Sequence, residues 1–236
     1  MVKIQPLQWD SEFFNLRIGK AIIESYSDFT ALIEQEKQLR CMYDLIYVFS
    51  AEKIAQIADI DYNFVLVDEK TIYEMDVISS EPQEDVYSYS DNQPNKELYK
   101  LALISGAYSR FKLDKNFPEN SFEKLYYRWI EESVNGNMAD AVFVHNSANS
   151  IDGMITVKWN NECADIGLVA VETNTQGKGV GSALMKHLHA YLKQNTTVKR
   201  ISVATQWQNM KARGWYEKNG FQVKSVTNIY HWWLKS

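Results

Sequence analysis

Apolar positions along this chain follow two rhythms, and the switches between them mark the expected elements. Short runs dominate the first third. Ile18-Gly19-Lys20-Ala21-Ile22-Ile23 and Leu45-Ile46-Tyr47-Val48-Phe49 predict strands, and Phe64–Val67 and Thr71–Val77 predict two more. Between the first two, Phe29, Leu32 and Ile33 recur at helical spacing behind Ser27, which predicts a capped helix running to about Lys37. A short helix is expected near residues 51–58. Residues 79–95 set Pro82 and Pro94 among serines and acids with little to bury, and read as a linker. Beyond it a helix is expected over Asn95–Arg110. A stronger one starts at Ser121, with Phe122, Leu125, Tyr126, Trp129, Ile130 and Val134 on one face. Strands follow over Ala141–His145, Gly153–Val157 and Cys163–Val171. A glycine-rich turn, a helix, a strand over Arg200–Thr205, a helix over Asn209–Asn219 and closing strands from Phe221 to Leu234 complete the pattern. This alternation predicts two α/β units, residues 1–90 and residues 91–236, the first too small to be comfortable alone.

Composition narrows the class. Apolar residues are 45% and charged residues 23%, so a sizeable core is available and disorder is excluded. The 25 Lys and Arg against 30 Asp and Glu leave a net charge of −5, which argues against nucleic acid as the main partner. Cys41 and Cys163 stand far apart, outside any metal-ligand spacing, and read as free thiols of a reducing compartment. The N-terminus has no apolar signal region and no run is long enough to span a bilayer, so a cytoplasmic protein without membrane insertion is expected. His187 and His189 are i and i+2 on a helix and point different ways, so no metal site is expected there or elsewhere. Trp232-Trp233 reads as one core ring and one at the surface.

The most informative stretch is Val171-Glu172-Thr173-Asn174-Thr175-Gln176-Gly177-Lys178-Gly179-Val180-Gly181-Ser182. A strand enters, glycines follow, and a helix leaves with Val180, Leu184, Leu188, Tyr191 and Leu192 on one face. Glycines let a backbone approach a ligand closely, and the first turn of a helix offers unpaired N–H groups at the positive end of its dipole. Together these suit an anion such as phosphate. The spacing is neither that of a nucleoside-triphosphate loop nor the dinucleotide G-x-G-x-x-G. A tight strand-to-helix turn without a ligand also fits the glycines alone.

Gln176-Gly177-Lys178-Gly179-Val180-Gly181 resembles the Q/R-x-x-G-x-G/A motif of the GCN5-related N-acetyltransferases. About thirty residues on, Asn209 and the run to Tyr216-Glu217-Lys218-Asn219-Gly220-Phe221 resemble that family's second motif. The likeness extends to TDP-fucosamine acetyltransferases through Leu7-Gln8-Trp9-Asp10-Ser11-Glu12-Phe13-Phe14, Ser109-Arg110-Phe111, Tyr126–Glu131 and Val203-Ala204-Thr205-Gln206. It covers nearly the whole chain, least in the linker. It implies a C-terminal GNAT fold, which is a mixed, mostly antiparallel sheet with a splayed central strand flanked by helices. It also implies a smaller N-terminal α/β domain contributing to the acceptor site.

By resemblance, acetyl-CoA is the co-substrate. Its pantetheine pairs with Leu168, Val169, Ala170 and Val171. Its pyrophosphate lies on the turn of Gln176, Gly177, Lys178, Gly179, Val180, Gly181 and Ser182, with Asn209 a further coenzyme contact. The acceptor implied is the amine of a dTDP-linked 4-amino-4,6-dideoxygalactose. An amine attacking a thioester must be neutral, and the departing thiolate is helped by a proton. The resemblance gives the second task to Tyr216 and the first to Asp68, acting through water; on its own, Asp68-Glu69-Lys70 reads as a solvated turn. Trp9, Phe13 and Phe14 are candidates to line the sugar-nucleotide site, or to form a packing cluster. Arg110 is a candidate partner for the substrate's diphosphate, or a helix-end cation. Gly214 costs helix stability just before Tyr216 and is expected to bend that helix. An amino acid, peptide or polyamine acceptor, or an acyl-CoA-binding domain without catalysis, are the competing readings. The sequence leaves open the oligomeric state, a homodimer being compatible, and the glycan served.

Overall fold

The computed structural model describes residues 2–54, 63–147 and 150–234. The chain opens with β1 (Gln5–Pro6), α1 (Gln8–Phe14), β2 (Ile18–Ile23), α2 (Tyr26–Glu34), α3 (Glu36–Met42), β3 (Leu45–Ser50) and β4 (Phe64–Asp76). It continues through β5 (Val86–Ser88), α4 (Lys96–Ser105), α5 (Arg110–Leu113), α6 (Ser121–Val134), β6 (Ala141–Ser147), β7 (Ser150–Trp159) and β8 (Cys163–Val171). Last come α7 (Val180–Asn195), β9 (Arg200–Gln206), α8 (Met210–Lys218) and β10 (Gln222–Trp233).

Local chemistry moves several boundaries from where periodicity set them. The cap of α2 is Ser25, two residues before Ser27. Its hydroxyl accepts from the Asp28 N–H while the Asp28 carboxylate accepts from the Ser25 N–H, a reciprocal capping box. Asn95, the expected start of α4, is its cap, but α4 stops at Ser105. A Cβ at Gly106 would lie 2.4 Å from the Tyr126 ring, so close packing on α6 demands glycine there. Ser109 then caps the separate α5. Helix α8 runs unbroken through Gly214. The helix expected near 51–58 falls largely outside the described residues.

The expected pairs of strands at 64–77 and 221–234 are instead one long strand each. The charged Asp68-Glu69-Lys70 is not a turn, because β4 is an interior strand whose backbone pairs on both sides. Residues 79–95 also do more than connect. Val86 is buried and β5 pairs with β6 at the sheet edge. His189 and His187 accept from the Ile78 and Gln83 N–H groups, and His145 bonds Asp85, so this segment is tied to α7 and β6.

All ten strands form one sheet in the order β1-β2-β3-β10-β4-β9-β8-β7-β6-β5. Its centre is nearly palindromic. The parallel pair β2–β3 and the parallel pair β8–β9 flank the antiparallel pair β10–β4. The last strand therefore pairs with β3, and β4, from before residue 90, pairs with β9. The two expected units share an unbroken sheet. Three apolar clusters cover its faces: one under α1, α4, α5 and α6, one under α7 and α8, and one under α2 and α3. Trp232 and Trp233 are both buried, on opposite faces, because neighbouring strand residues alternate.

Candidate active site

Strand β8 pairs with β9 only from Cys163↔Arg200 to Ile166↔Val203. Past that point β9 stays with β4 up to Gln206↔Lys70, while β8 stays with β7 up to Val171↔Gly153. The two parallel strands part, and Gly167–Val171 present backbone to the gap. A bulge accompanies the parting, since Val157 faces Ile166 but Ile155 faces Val169, leaving an extra residue on β8. Thr156 holds it: its hydroxyl accepts from the Leu168 N–H at 2.8 Å, and a Cβ at Gly167 would meet that oxygen at 2.9 Å. The bulge turns Leu168 and Ala170 toward the α4 and α6 side, whereas Ala164 and Ile166 pack toward α7.

The glycine turn stands at the open end of the gap. Gly177 and Gly179 have φ of +79° and +97°, and no atom lies within 4 Å of a Cβ built on either. Gly179 is the N-cap of α7 and brings no side-chain cap, so the amides of Val180, Gly181 and Ser182 lack an intrahelical acceptor. Gly181 lies against the Trp215 ring, at 3.2 Å from a Cβ placed there. Gln176 staples the turn, donating to the Val171 carbonyl at 3.0 Å and accepting from Lys211 Nζ at 2.8 Å. A bare helix N-terminus, two glycines open to approach, and Lys178 and Lys211 nearby fit a pyrophosphate. An open hollow of about 440 Å³ borders the turn on the β6 side, lined by Lys178, Asp85, His145 and Asp152. It lies away from the gap between β8 and β9.

Asn209 caps α8, its side-chain oxygen accepting from the Ala212 N–H. Tyr216 is 3% exposed, with its ring 5.6 Å from that of Tyr73 and its hydroxyl without a hydrogen bond among the described residues. Burial pushes its phenol well above the ordinary value, so it holds its proton at neutral pH. Tyr73 in turn is paired with Val203, where β8 and β9 begin to part.

On the other face of the sheet a second bulge sets Asp68. Tyr230 faces Leu66 but Ile229 faces Asp68, so Val67 is extra. Leu66 stays with Tyr230 in the α2 side cluster, whereas Asp68 turns to the face of Tyr47 and His231. Helix α5 lies over that face. The Arg110 guanidinium stacks on the rings of Tyr47 and Phe111, at 4.4 and 4.7 Å from their centroids. Phe14 stacks on Phe111, Phe13 packs edge-on against Phe14, and Trp9 stacks on Phe13. The structure thus gathers Trp9, Phe13, Phe14, Arg110 and Asp68 on one side. Gly177, Gly179, Gly181, Gln176 and Tyr216 belong to the other. Asp68 is five strand residues from Tyr73, about 17 Å along β4, so Asp68 and Tyr216 do not meet directly.

Burial raises the Asp68 carboxyl to about 6, with Arg110 and Lys70 opposing the rise. Sequence reasoning missed the groups that surround it. Asp114, at the end of α5, accepts from His231 Nδ1 at 2.5 Å and from Trp233 Nε1 at 2.9 Å. That fixes the Nδ1–H tautomer and leaves Nε2 as a bare acceptor. Burial depresses His231 to about 4, keeping it neutral. Tyr47, Asp10 and Tyr126 complete the set around Arg110. Alternation in the last strand was the one available signal for His231.

Residues 107–221 match the model of the Acetyltransferase (GNAT) family. The parted parallel strands and the uncapped glycine turn lie inside that span, so residues 107–221 carry an acetyltransferase domain of this class. It is 22% identical over 220 residues to the spore coat polysaccharide biosynthesis protein SpsD of Bacillus subtilis (strain 168), covering 83% of this chain and 73% of that one. Among solved structures, a conserved protein of unknown function from Staphylococcus epidermidis ATCC 12228 is similar at 13% identity and TM-score 0.64, over 92% of this chain and 84% of that one. A GCN5-related N-acetyltransferase from Sphaerobacter thermophilus is similar at 11% identity and TM-score 0.56, over 100% and 76%. A tandem GNAT protein from the clavulanic acid biosynthesis pathway is similar at 12% identity and TM-score 0.55, over 93% and 76%. At these identities the likeness is one of fold. Among the described residues, no helix is long and apolar enough to cross a membrane.

Proposed function

We propose that this chain moves an acetyl group from acetyl-CoA to the amine of a nucleotide-linked amino-deoxy sugar in the cytoplasm. The acceptor is of the dTDP-4-amino-4,6-dideoxygalactose kind. The observation that carries the donor half is the gap between β8 and β9 with its uncapped glycine turn. Leu168 to Val171 offer a strand edge to the pantetheine, and the turn amides with Lys178 hold the pyrophosphate. The acceptor enters from the opposite face, past Trp9, Phe13, Phe14 and Arg110. The amine loses its proton through water to Asp68, attacks the thioester carbonyl, and the thiolate leaves with the proton of Tyr216. The likeness to a polysaccharide biosynthesis protein supports a sugar acceptor.

Thiol release from acetyl-CoA, measured across acceptors, tests the reading. A dTDP-4-amino-4,6-dideoxyhexose is expected to react far faster than lysine peptides, free amino acids or spermidine. Equal rates would move the acceptor class to simple amines, and no release with any amine would leave only coenzyme binding.

The donor half has its own test. Gly179→Glu places a side chain at φ +97° and a carboxylate at the helix N-terminus. Backbone strain of about 1–2 kcal/mol and a lost dipole interaction of up to about 2 kcal/mol together predict roughly 10²-fold weaker acetyl-CoA binding. Calorimetry showing unchanged affinity would remove the turn from the coenzyme site.

A further inference from the structure

Seven buried side-chain polar atoms lack a close partner among the described residues, and three of them, Asp68 Oδ1, Arg110 Nη1 and His231 Nε2, belong to one group; a fourth, Tyr47 Oη, faces the Asp10 carboxylate. Such atoms are costly, and their clustering asks for a ligand or water that satisfies them together. Arg110 is the extreme case. Its guanidinium has five N–H donors, yet among the described residues its side chain makes no hydrogen bond or ion pair, only ring contacts with Tyr47, Phe49 and Phe111. Asp68 is close enough to feel its charge but does not pair with it. A cation and an anion therefore face each other across an interval, with donors on one side and acceptors on the other.

Charge decides what suits the interval. Arg110 contributes one positive charge. Asp10 and Asp68 oppose it directly, and Asp114 adds a third carboxylate behind a neutral His231. The set is negative before anything binds, so a diphosphate beside Arg110 would add like charge to it. An uncharged group that accepts from Nη1 and donates to Oδ1 fits without that cost. A hydroxyl does both, and a pair of neighbouring hydroxyl or amino substituents on a ring reaches both sides.

We propose that Arg110 and Asp68, with Asp10 as charge balance, form a hydroxyl-reading subsite that recognises the sugar ring beside its amine, and that the substrate's diphosphate is held elsewhere. This rests on the reading of the chain as a sugar-amine acetyltransferase, and it names the part of the acceptor that Arg110 touches.

Equilibrium binding, measured by NMR titration or calorimetry in the presence of CoA, separates the subsite from catalysis. The probes are the methyl glycoside of 4-amino-4,6-dideoxygalactose, its analogue lacking the hydroxyl next to the amine, and dTDP alone. The glycoside is expected to bind at least about tenfold more tightly than the deoxy analogue, the worth of one hydrogen bond to a charged group. Arg110→Gln should erase that difference and leave dTDP affinity unchanged. Arg110→Lys, which keeps the charge, and an unchanged acetyl-CoA affinity serve as controls for folding. A glycoside that binds and discriminates but is never acetylated would overturn the proposed activity and keep the subsite. Loss of dTDP affinity in Arg110→Gln, absence of glycoside binding, or equal binding of the deoxy analogue would each overturn the subsite.

Discussion

At pH 8, Asp68→Asn is expected to raise the thermal unfolding midpoint while acetyl transfer falls by about 10²–10⁴-fold, the usual worth of a general base. The two effects share one cause. Asp68 is 6% exposed, and burial lifts its carboxyl to about 6 from about 3.9 in an unfolded chain. A carboxyl that holds its proton more tightly when folded costs stability as pH rises. The cost is absent below about pH 4, grows between about 4 and 6, and is complete above that. A shift of roughly two units corresponds to about 3 kcal/mol at most, and the still unpaired amide of Asn returns part of it. A gain of about 1–3 kcal/mol is left, or some 3–8 °C for a chain of this size. Calorimetry at pH 8 and pH 4 checks it, because the difference should vanish at the lower pH. The wild-type rate should fall below about pH 6, and the variant should lose that limb. A variant less stable than wild type at pH 8 would mean that Asp68 is stabilised by partners rather than burdened by burial.

Tyr216→Phe should lower turnover by a similar factor, about 10²–10⁴, with little change in acetyl-CoA affinity, since proton donation is realised only in the transition state. The ring stays packed against Tyr73 and Phe221, and the hydroxyl makes no hydrogen bond among the described residues, so stability should hardly move. Tyr191→Phe, on α7 against Phe143 and Trp159, is the matched control and should turn over normally. Near-normal turnover in Tyr216→Phe would leave solvent as the proton donor. A large loss of coenzyme affinity would instead make Tyr216 a binding residue.

What could be read in the sequence was local. The glycine turn was legible because positive φ and an uncapped helix start are written in consecutive residues, Gly177 to Gly181. Tyr216 stood out from the other tyrosines only by its place in a motif. The aromatic run at Trp9, Phe13 and Phe14 was legible as a cluster, and it lies on the face that also holds Arg110. The rest depends on partners far apart in the chain. Alternation from Phe64 puts Asp68 on the face of Phe64 and Leu66, and only the bulge against β10 turns it to the other. Its charged neighbours looked like a turn because β4 gives no sign that β9 and β10 will cover it. The pairing of His231 with Asp114 spans 117 positions, and no pattern in either segment announces it.

The exchange of strands at the centre of the sheet bears on how the chain is made. The strand between β3 and β4 is β10, which leaves the ribosome after every other strand of this sheet. Until residues 222–233 emerge, β3 and β4 each have an unfilled edge, and their Val, Ile, Phe and Tyr side chains lie beside backbone groups still seeking partners. Closing the sheet then joins residues about 190 positions apart, such as Leu45 and Trp233, a long loop whose entropy must be met before the contacts reward it. The nascent chain therefore has its greatest exposure to aggregation just before β10 emerges. Asp68 and His231 are drawn from the two strands that meet in that step, so the face they share takes shape only when the whole sheet does.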